Sequence, residues 1–403
     1  MDLNNLSAQE ELFRAALTSN GVPAAETEVK EEFQKLADDA GLTIRNPSKY
    51  SAFWVFVKSA VTSPALWLIA FMVRHVMPNM YVKTASGEWL DLLAYAYGVE
   101  RKPAARAEGT VTFSRVNTSQ AVNIPAGTRV RTLPLNGRIL RMITLADAVI
   151  PAGETGVDVL CIAEEAGSAY NLAEGYYALM DSDVPGVTSV TTGKDYLTTL
   201  GADTETDLEL RLRIRNQFAA AGDWHTDAKY RAMIASEIGF RLDRIYFKKY
   251  DPESYTCRGP GSADAFVLFD SGASTETILE KLNKTIADEG NHGHGDSLLV
   301  KELPGETHNV SATVFFASPV TSARRAEIVE IIEQMIECAF RKNQGYTDKV
   351  TQTWAYSRFS FSRLGAEIHA CYPEEITSIV WGQNDIVTLL AVARLGTLRV
   401  VAG

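Results

Sequence analysis

The residues best spaced for chemistry in this sequence are Asn291-His292-Gly293-His294-Gly295-Asp296. His-x-His can bring two imidazoles to one ion, with Asp296 adding an oxygen. A working site needs a further ligand and a supporting shell of hydrogen bonds. The other histidines, His75, His225, His308 and His369, stand at no matching spacing. The glycines point to an exposed loop with solvated imidazoles, so no metal site at His292 and His294 and no cofactor are expected. Gly259-Pro260-Gly261 could be offered as a phosphate cradle. Proline removes an amide donor there, and the lysine and hydroxyl residue that complete a P-loop are missing, so a turn is expected. Trp224-His225, beside Asp223 and Asp227, suits a carbohydrate cleft or a helix cap, and the cap is favoured. Glu164-Glu165 and Glu374-Glu375 are sequence neighbours, whereas carboxylates that flank a scissile bond usually come from separate elements. Neither a Gly-x-Ser-x-Gly elbow nor a His-Glu-x-x-His helix is present. No catalytic residue is expected, and the chain does not read as an enzyme.

The elements that would carry these residues belong to a chain of several modules. At 403 residues the chain exceeds what one core usually serves. A formal net charge of −11 argues against sequence-independent nucleic-acid binding, which needs a basic face to displace counterions. Cys161, Cys257, Cys338 and Cys371 are scattered, as expected of buried thiols in a chain made in a reducing cytoplasm. The N-terminal residues Met1-Asp2-Leu3-Asn4-Asn5 have neither the basic nor the apolar region of a secretory signal.

Residues 1–102 read as helices. Residues 8–18 and 24–40 are amphipathic or charged helical segments separated by Gly21-Val22-Pro23. Residues 52–77 are apolar on every face, which places such a helix deep in a bundle or in a membrane. Lys58 near its middle would cost a few kcal/mol in a bilayer, so the bundle is favoured and no membrane insertion is expected. Pro64 should divide or kink it. One chain offers few helices to cover this segment, which makes Trp54, Phe56, Trp67 and Phe71 candidate anchors of a subunit interface. An ordinary intrachain core helix has the same composition, and that alternative stays open. Residues 88–99 form a further helix that Gly98 should stop.

Residues 103–185 read as a β-rich module. Two near-copies of one turn, Ile124-Pro125-Ala126-Gly127-Thr128 and Ile150-Pro151-Ala152-Gly153-Glu154, punctuate short β-branched runs. Strand alternation is clear at Val157, Val159, Cys161 and Ala163. The whole should be a small sandwich or barrel. Residues 181–201 read as loop-rich, with turn signals at Pro185-Gly186 and Thr192-Gly193. Residues 203–303 and 304–403 read as two α+β modules. Thr206 with Glu209 has capping-box spacing before a helix. Along that helix Asp207 with Arg211, and Glu209 with Arg213, read as ordinary exposed i,i+4 pairs. The fold class expected is therefore multi-domain α+β: an N-terminal helical bundle segment, a small β-sandwich-like module, then two α+β modules.

Several of these segments also carry a resemblance. Thr84 through Asp91, Gly98 through Arg101, Gly109 through Phe113, Ile124 through Thr128, Ala163 through Gly167, Asn171, Gly175, Gly201 through Asp207, and Leu210 through Arg213 occur in the order and spacing of the baseplate J-like family. Those are the wedge proteins of contractile phage tails and related injection machines. The N-terminal eighty or so residues resemble the family only in being helical. The resemblance implies a structural subunit assembled in the host cytoplasm and resident in the virion tail baseplate. Two copies with a smaller wedge partner would join through an N-terminal helical bundle. Wedges would then join through their C-terminal modules into a ring around the hub, which widens on firing and passes the change to the sheath. Sheath-initiator and hub proteins would be neighbours, with tail fibre attachment allowed, and no nucleic acid is expected as a partner. A tail-associated hydrolase or glycan-binding protein, with His292 or Trp224 near its site, is the alternative.

Overall fold

The computed structural model describes residues 7–41, 48, 50–220, 226–236, 241–251, 253, 258–270, 273, 275–288 and 291–403. The expectations at Trp224, His225 and Cys257 fall outside them. The fold is mixed α and β, and the chain divides into two compact units. The first is Met1–Arg101 with Thr206–Ile214, and the second is Lys102–Glu205 with Arg215–Gly403.

The first unit is helical. Helix α1 (Ala8–Ser19) starts on a capping box in which the Ser7 hydroxyl accepts from the Glu10 amide (3.3 Å) and the Glu10 carboxylate accepts from the Ser7 amide (2.6 Å). The first turn of α2 (Glu26–Asp39) uses Glu28 in the same way, its carboxylate accepting from the amides of Ala24 and Ala25. Residues 52–80 then form one 29-residue helix. Within it, α3 (Ala52–Val57) and α4 (Ser63–Phe71) are joined by a π-turn, Lys58–Thr62. Pro64 neither splits this helix nor ends it. A proline has no N–H to give to the carbonyl four residues back, and its ring collides with that carbonyl. The wider turn ahead of it, closed by Ser63 N–H on the Lys58 carbonyl, lets the chain stay helical past the misfit. The last helix of this stretch, α5 (Glu88–Ala96), starts after Gly87 at φ +55° and stops, as expected, at Gly98 with φ +67°. Its apolar side, Leu90 and Ala94, packs with Ala85 and Val99 against Leu210 and Ile214 in the first turns of α6 (Asp207–Ala220).

In the second unit, a seven-stranded sheet runs in the order β7-β3-β4-β6-β1-β8, with β9 also paired to β1. These are β1 (Glu108–Ser114), β3 (Arg129–Arg131), β4 (Arg141–Thr144), β6 (Gly156–Ala163), β7 (Leu179–Met180), β8 (Ser189–Thr191) and β9 (Leu197–Thr199). The stretch 181–201 is therefore not loop alone, and the sheet runs past the expected limit at residue 185. Strands of three residues are too short for alternation to stand out in the sequence. The two turn copies end partner strands: β2 (Val122–Ile124) pairs antiparallel with β5 (Ala148–Ile150). Their glycines, Gly127 and Gly153, hold φ +82° and +94°, as turns of this kind require.

Further along come α7 (Asp227–Ser236), β10 (Ile245–Lys249), β11 (Ser262–Val267), α8 (Thr275–Asn283) and β12 (Ser297–Glu302). Strand β11 pairs antiparallel with β10 and parallel with β12, and α8 makes the crossover. The segments the sequence separates here share one core. Val111, Phe113, Met142 and Leu197 belong to the same buried cluster as Tyr230, Ile234, Val267 and Leu282. The C-terminal part adds β13 (Gly305–Phe316), α9 (Ser322–Ala339), β14 (Arg358–Phe359), α10 (Phe361–Cys371), β15 (Ile376–Trp381), β16 (Ile386–Val387) and β17 (Val392–Ala402). Strand β13 lies between β15, antiparallel, and β17, parallel. Ile328, Ile332 and Met335 of α9 and Leu364 and Ile368 of α10 fill a core with Val310, Ala312 and Val314.

The residues that carry the family resemblance in this unit lie where backbones touch. The Asn171 amide both donates to the Gly201 carbonyl and accepts from the Gly201 N–H, each at 2.8 Å and buried. A Cβ on Gly201 would stand 2.3 Å from the Gly167 carbonyl oxygen, and one on Gly109 would stand 2.7 Å from that of Tyr196. Backbone atoms cannot step aside as a flexible side chain can. Gly201→Ala should therefore lower unfolding stability by about 1–3 kcal/mol, read as a shift in urea midpoint. Gly193→Ala, with nothing within 4 Å of its Cβ position, should leave that midpoint in place.

Candidate functional site

In the first unit, apolar side chains cover the long helix on one side only. Buried residues recur at Trp54, Val57, Thr62, Ile69 and Val73. The five-residue step from Val57 to Thr62 spans the π-turn, so the added residue keeps both on the covered side. Phe13 and Ala24 pack on Ile69 and Val73, and Phe33 meets the Trp54 ring edge-on at 6.2 Å. Lys30 lies over that ring at 4.6 Å. The opposite side, carrying Val55, Phe56, Trp67, Leu68 and Phe71, is open. Trp67 and Phe71, one turn apart, stack with centroids 5.7 Å apart.

The four expected anchors separate on this geometry. Phe56 is 67% exposed, Trp67 52% and Phe71 37%. Trp54 is only 5% exposed, enclosed by its own chain. Helix α2 supplies the cover that composition alone did not promise, which removes Trp54 from the candidate surface; Phe53, half-exposed, also meets Phe33 of α2 at 6.3 Å. Burying one such side chain is worth about 1.5–3 kcal/mol. The Lys58–Glu26 ion pair, 2.8 Å long but more than half exposed at both ends, is worth about 0–1 kcal/mol. Apolar burial would therefore dominate what this face does. By length and composition the helix could also cross a bilayer.

A polar clasp in the same unit holds the segment that follows. Arg101 donates to Asp91 through Nε (2.8 Å) and to Asp207 through Nη2 (2.8 Å). Asp207 also accepts from the Gly87 amide at 3.0 Å. Arg211 reaches the Ala85 carbonyl at 2.7 Å, and Arg213 donates to the Glu100 carbonyl. The expected i,i+4 pair of Asp207 and Arg211 forms at the long end of ion-pair range, while both residues make their shorter contacts outside α6. Arg211 stays 4.0 Å from Asp207, and Glu209 closes the expected capping box with Thr206 instead. Sequence spacing shows only neighbours on one helix. The one signal toward the real partners was that Asp91, Arg101 and Asp207 fall in segments of the same family resemblance.

The other sequence candidates do not converge. His292 Nδ1 lies 2.9 Å from the Gly293 carbonyl, and His294 lies on the exposed loop. Among the described residues no group of three His, Cys, Asp or Glu could hold a metal ion. Gly259 and Gly261 hold φ +127° and +79° in a turn, and Ser262 N–H closes it on the Gly259 carbonyl. Glu164 takes part in ion pairs with Arg129 and Arg141 on the sheet. Cys161 and Cys338 are buried thiols that burial pushes up, to about 12 and about 11, so they stay protonated.

One unit is helical with an uncovered apolar face, and the other is built of β and α+β layers. The family model of the baseplate J-like protein barrel domain matches residues 110–199. Across 371 residues the chain is 38% identical to a protein of Haemophilus phage HP1 (strain HP1c1) named as baseplate protein gp29, covering 90% of this chain and 92% of that one. A cryo-EM structure of the anti-feeding prophage baseplate aligns over 91% of this chain and 90% of its own, at 10% identity and a TM-score of 0.33. The chain belongs to the baseplate J-like family. It is a structural protein of a phage baseplate, a component of the virion tail.

The clasp generates an acid dependence. The Gly87 amide holds the Asp207 carboxyl below its ordinary range, partial burial opposes this, and Arg101 adds to the lowering. A carboxyl lowered in the folded state stabilises above its unfolded pKa, and the contribution is lost as pH falls through the folded value. Asp207→Ala should cost about 1.5–3 kcal/mol at neutral pH, toward the low end for a side chain one-third exposed. The difference from wild type should shrink as pH drops below the carboxylate range, measured by thermal melts across pH.

Proposed function

We propose that this protein is a wedge subunit. On this reading the open face of the long helix joins a second copy and a smaller wedge protein in a helical bundle, and the C-terminal α+β parts link wedges into a ring around the hub. The ring would relay the firing change to the sheath, with sheath-initiator and hub proteins as neighbours and tail fibres as a further attachment. A division into residues 1–102, 103–185, 203–303 and 304–403 goes with this reading, the third and fourth parts as ring-forming modules. The observation that carries it is the stripe Phe56, Trp67 and Phe71, open on one side of a helix whose other side its own chain covers. Buried aromatic anchors of this kind dominate subunit interfaces.

The membrane alternative has the length of the helix in its favour. Against it stands Lys58, paired with Glu26 near the middle. Light scattering on the purified protein, alone and co-expressed with its neighbouring baseplate proteins, should give oligomers. Phe56→Glu with Trp67→Glu should weaken assembly by roughly 700-fold, as loss of about 2 kcal/mol at each of the two anchors requires. The melting temperature should be nearly unchanged, since neither residue is enclosed in its own chain. A monomeric wild type, or one that floats with liposomes and returns to solution when Trp67 is changed, would overturn the wedge reading.

A further inference from the structure

Three arginines converge on one buried carboxylate inside the second unit. Asp270, just past the end of β11, is 3% exposed at its side chain and takes Arg244 Nη1 on Oδ2 at 3.0 Å. Arg341 Nη1 stands 4.0 Å from Oδ1, and Arg394 of β17 donates to the neighbouring Phe269 carbonyl at 2.8 Å. Arg341 is wholly buried, with Nε on the Thr353 carbonyl (2.7 Å), Nη1 on Gln352 (3.1 Å) and its guanidinium 4.4 Å over the Trp354 ring. Its backbone holds φ +65° just after α9, where glycine is the usual residue. An arginine kept in that conformation is held there for its side chain.

The charges and donors do not balance. Arg341 Nη2, Arg394 Nη1, Arg244 Nε and Asp270 Oδ1 have no hydrogen-bond partner among the described residues. Guanidinium does not give up its proton in a protein, so neutralisation is no escape. Among the described residues Glu302, which is exposed, also acts on Arg394, so Asp270 is the buried acid that these guanidiniums share. Buried donors in native proteins are paired, and a buried charge without a counterion is strongly unfavourable.

We propose that this cluster seats a small inorganic anion, of chloride size and charge, between the unpartnered guanidinium nitrogens of Arg341 and Arg394. The anion would tie the end of β11, the end of α9 and strand β17 together, and so brace the C-terminal layers that the wedge reading assigns to the ring. Enclosure favours a halide over a bulky organic anion, and the guanidinium donors supply the contacts. The site stands independently of the wedge reading, because it needs only the folded chain.

The test is thermal unfolding of the full chain with chloride exchanged for gluconate at constant ionic strength. Wild type should show a saturable rise in melting temperature with chloride. Arg394→Met, which keeps the stem of a partly buried side chain, should fold and lose that rise. Bromide-soaked crystals should show anomalous density beside Arg341. Absence of a saturable rise, an equal rise in Arg394→Met, or no bromide density beside Arg341 would overturn the proposal. So would a rise that sulfate reproduces equally in wild type and variant, because that is a general salt effect on burial.

Discussion

A 29-residue apolar helix in water needs apolar cover, and this chain provides only part of it. Helices α1 and α2 lie over Trp54, Ile69 and Val73, where Phe13, Ala24 and Phe33 close the contact. Nothing in the described chain closes over Phe56, Trp67 and Phe71. That imbalance is the physical basis for reading the first unit as a part made to be completed by other chains. A monomer rarely keeps so large an apolar stripe at its surface without a use for it. The π-turn before Pro64 matters for the same reason. It lets one straight run of sequence hold a covered side and an open side without breaking.

The second unit shows a different economy. Its rigidity rests on backbone-to-backbone closeness at Gly109, Gly167 and Gly201 and on one side-chain amide, Asn171, that satisfies both polar groups of Gly201. One buried cluster runs from the seven-stranded sheet into the β10–β12 layer. Hydrogen bonds join the sheet to the C-terminal part as well: Asn136 N–H donates to the Tyr346 hydroxyl and Ala173 N–H to the Lys342 carbonyl. A unit tied at several points deforms less than separate beads on linkers would.

Much of this was legible at short range. The capping box of Thr206 and Glu209, the stop at Gly98, the twin Pro-Ala-Gly turns and the alternation of β6 each depend on residues within a few positions of one another. Strands β8 and β9 were not legible, because three residues carry no period. Nor were the true partners of Asp207. Sequence spacing offered Arg211 one turn away, but the backbone brings Arg101, 106 residues distant, into better geometry. For the candidate surface, composition identified the helix and three of its exposed aromatics but could not tell that Trp54 faces α2.

By itself, then, the sequence determined that residues 52–77 are helical and too apolar for one stripe, that a β-rich stretch with paired turns follows, and that no reactive constellation stands out along the chain. These are properties of local spacing and side-chain chemistry. Only the tertiary structure decided which side of the helix is covered, which acid Arg101 holds, and that Arg244, Arg341 and Arg394 meet at Asp270. Those outcomes depend on contacts between segments far apart in the chain. They are fixed by which surfaces fit together, and that is not encoded in any one stretch.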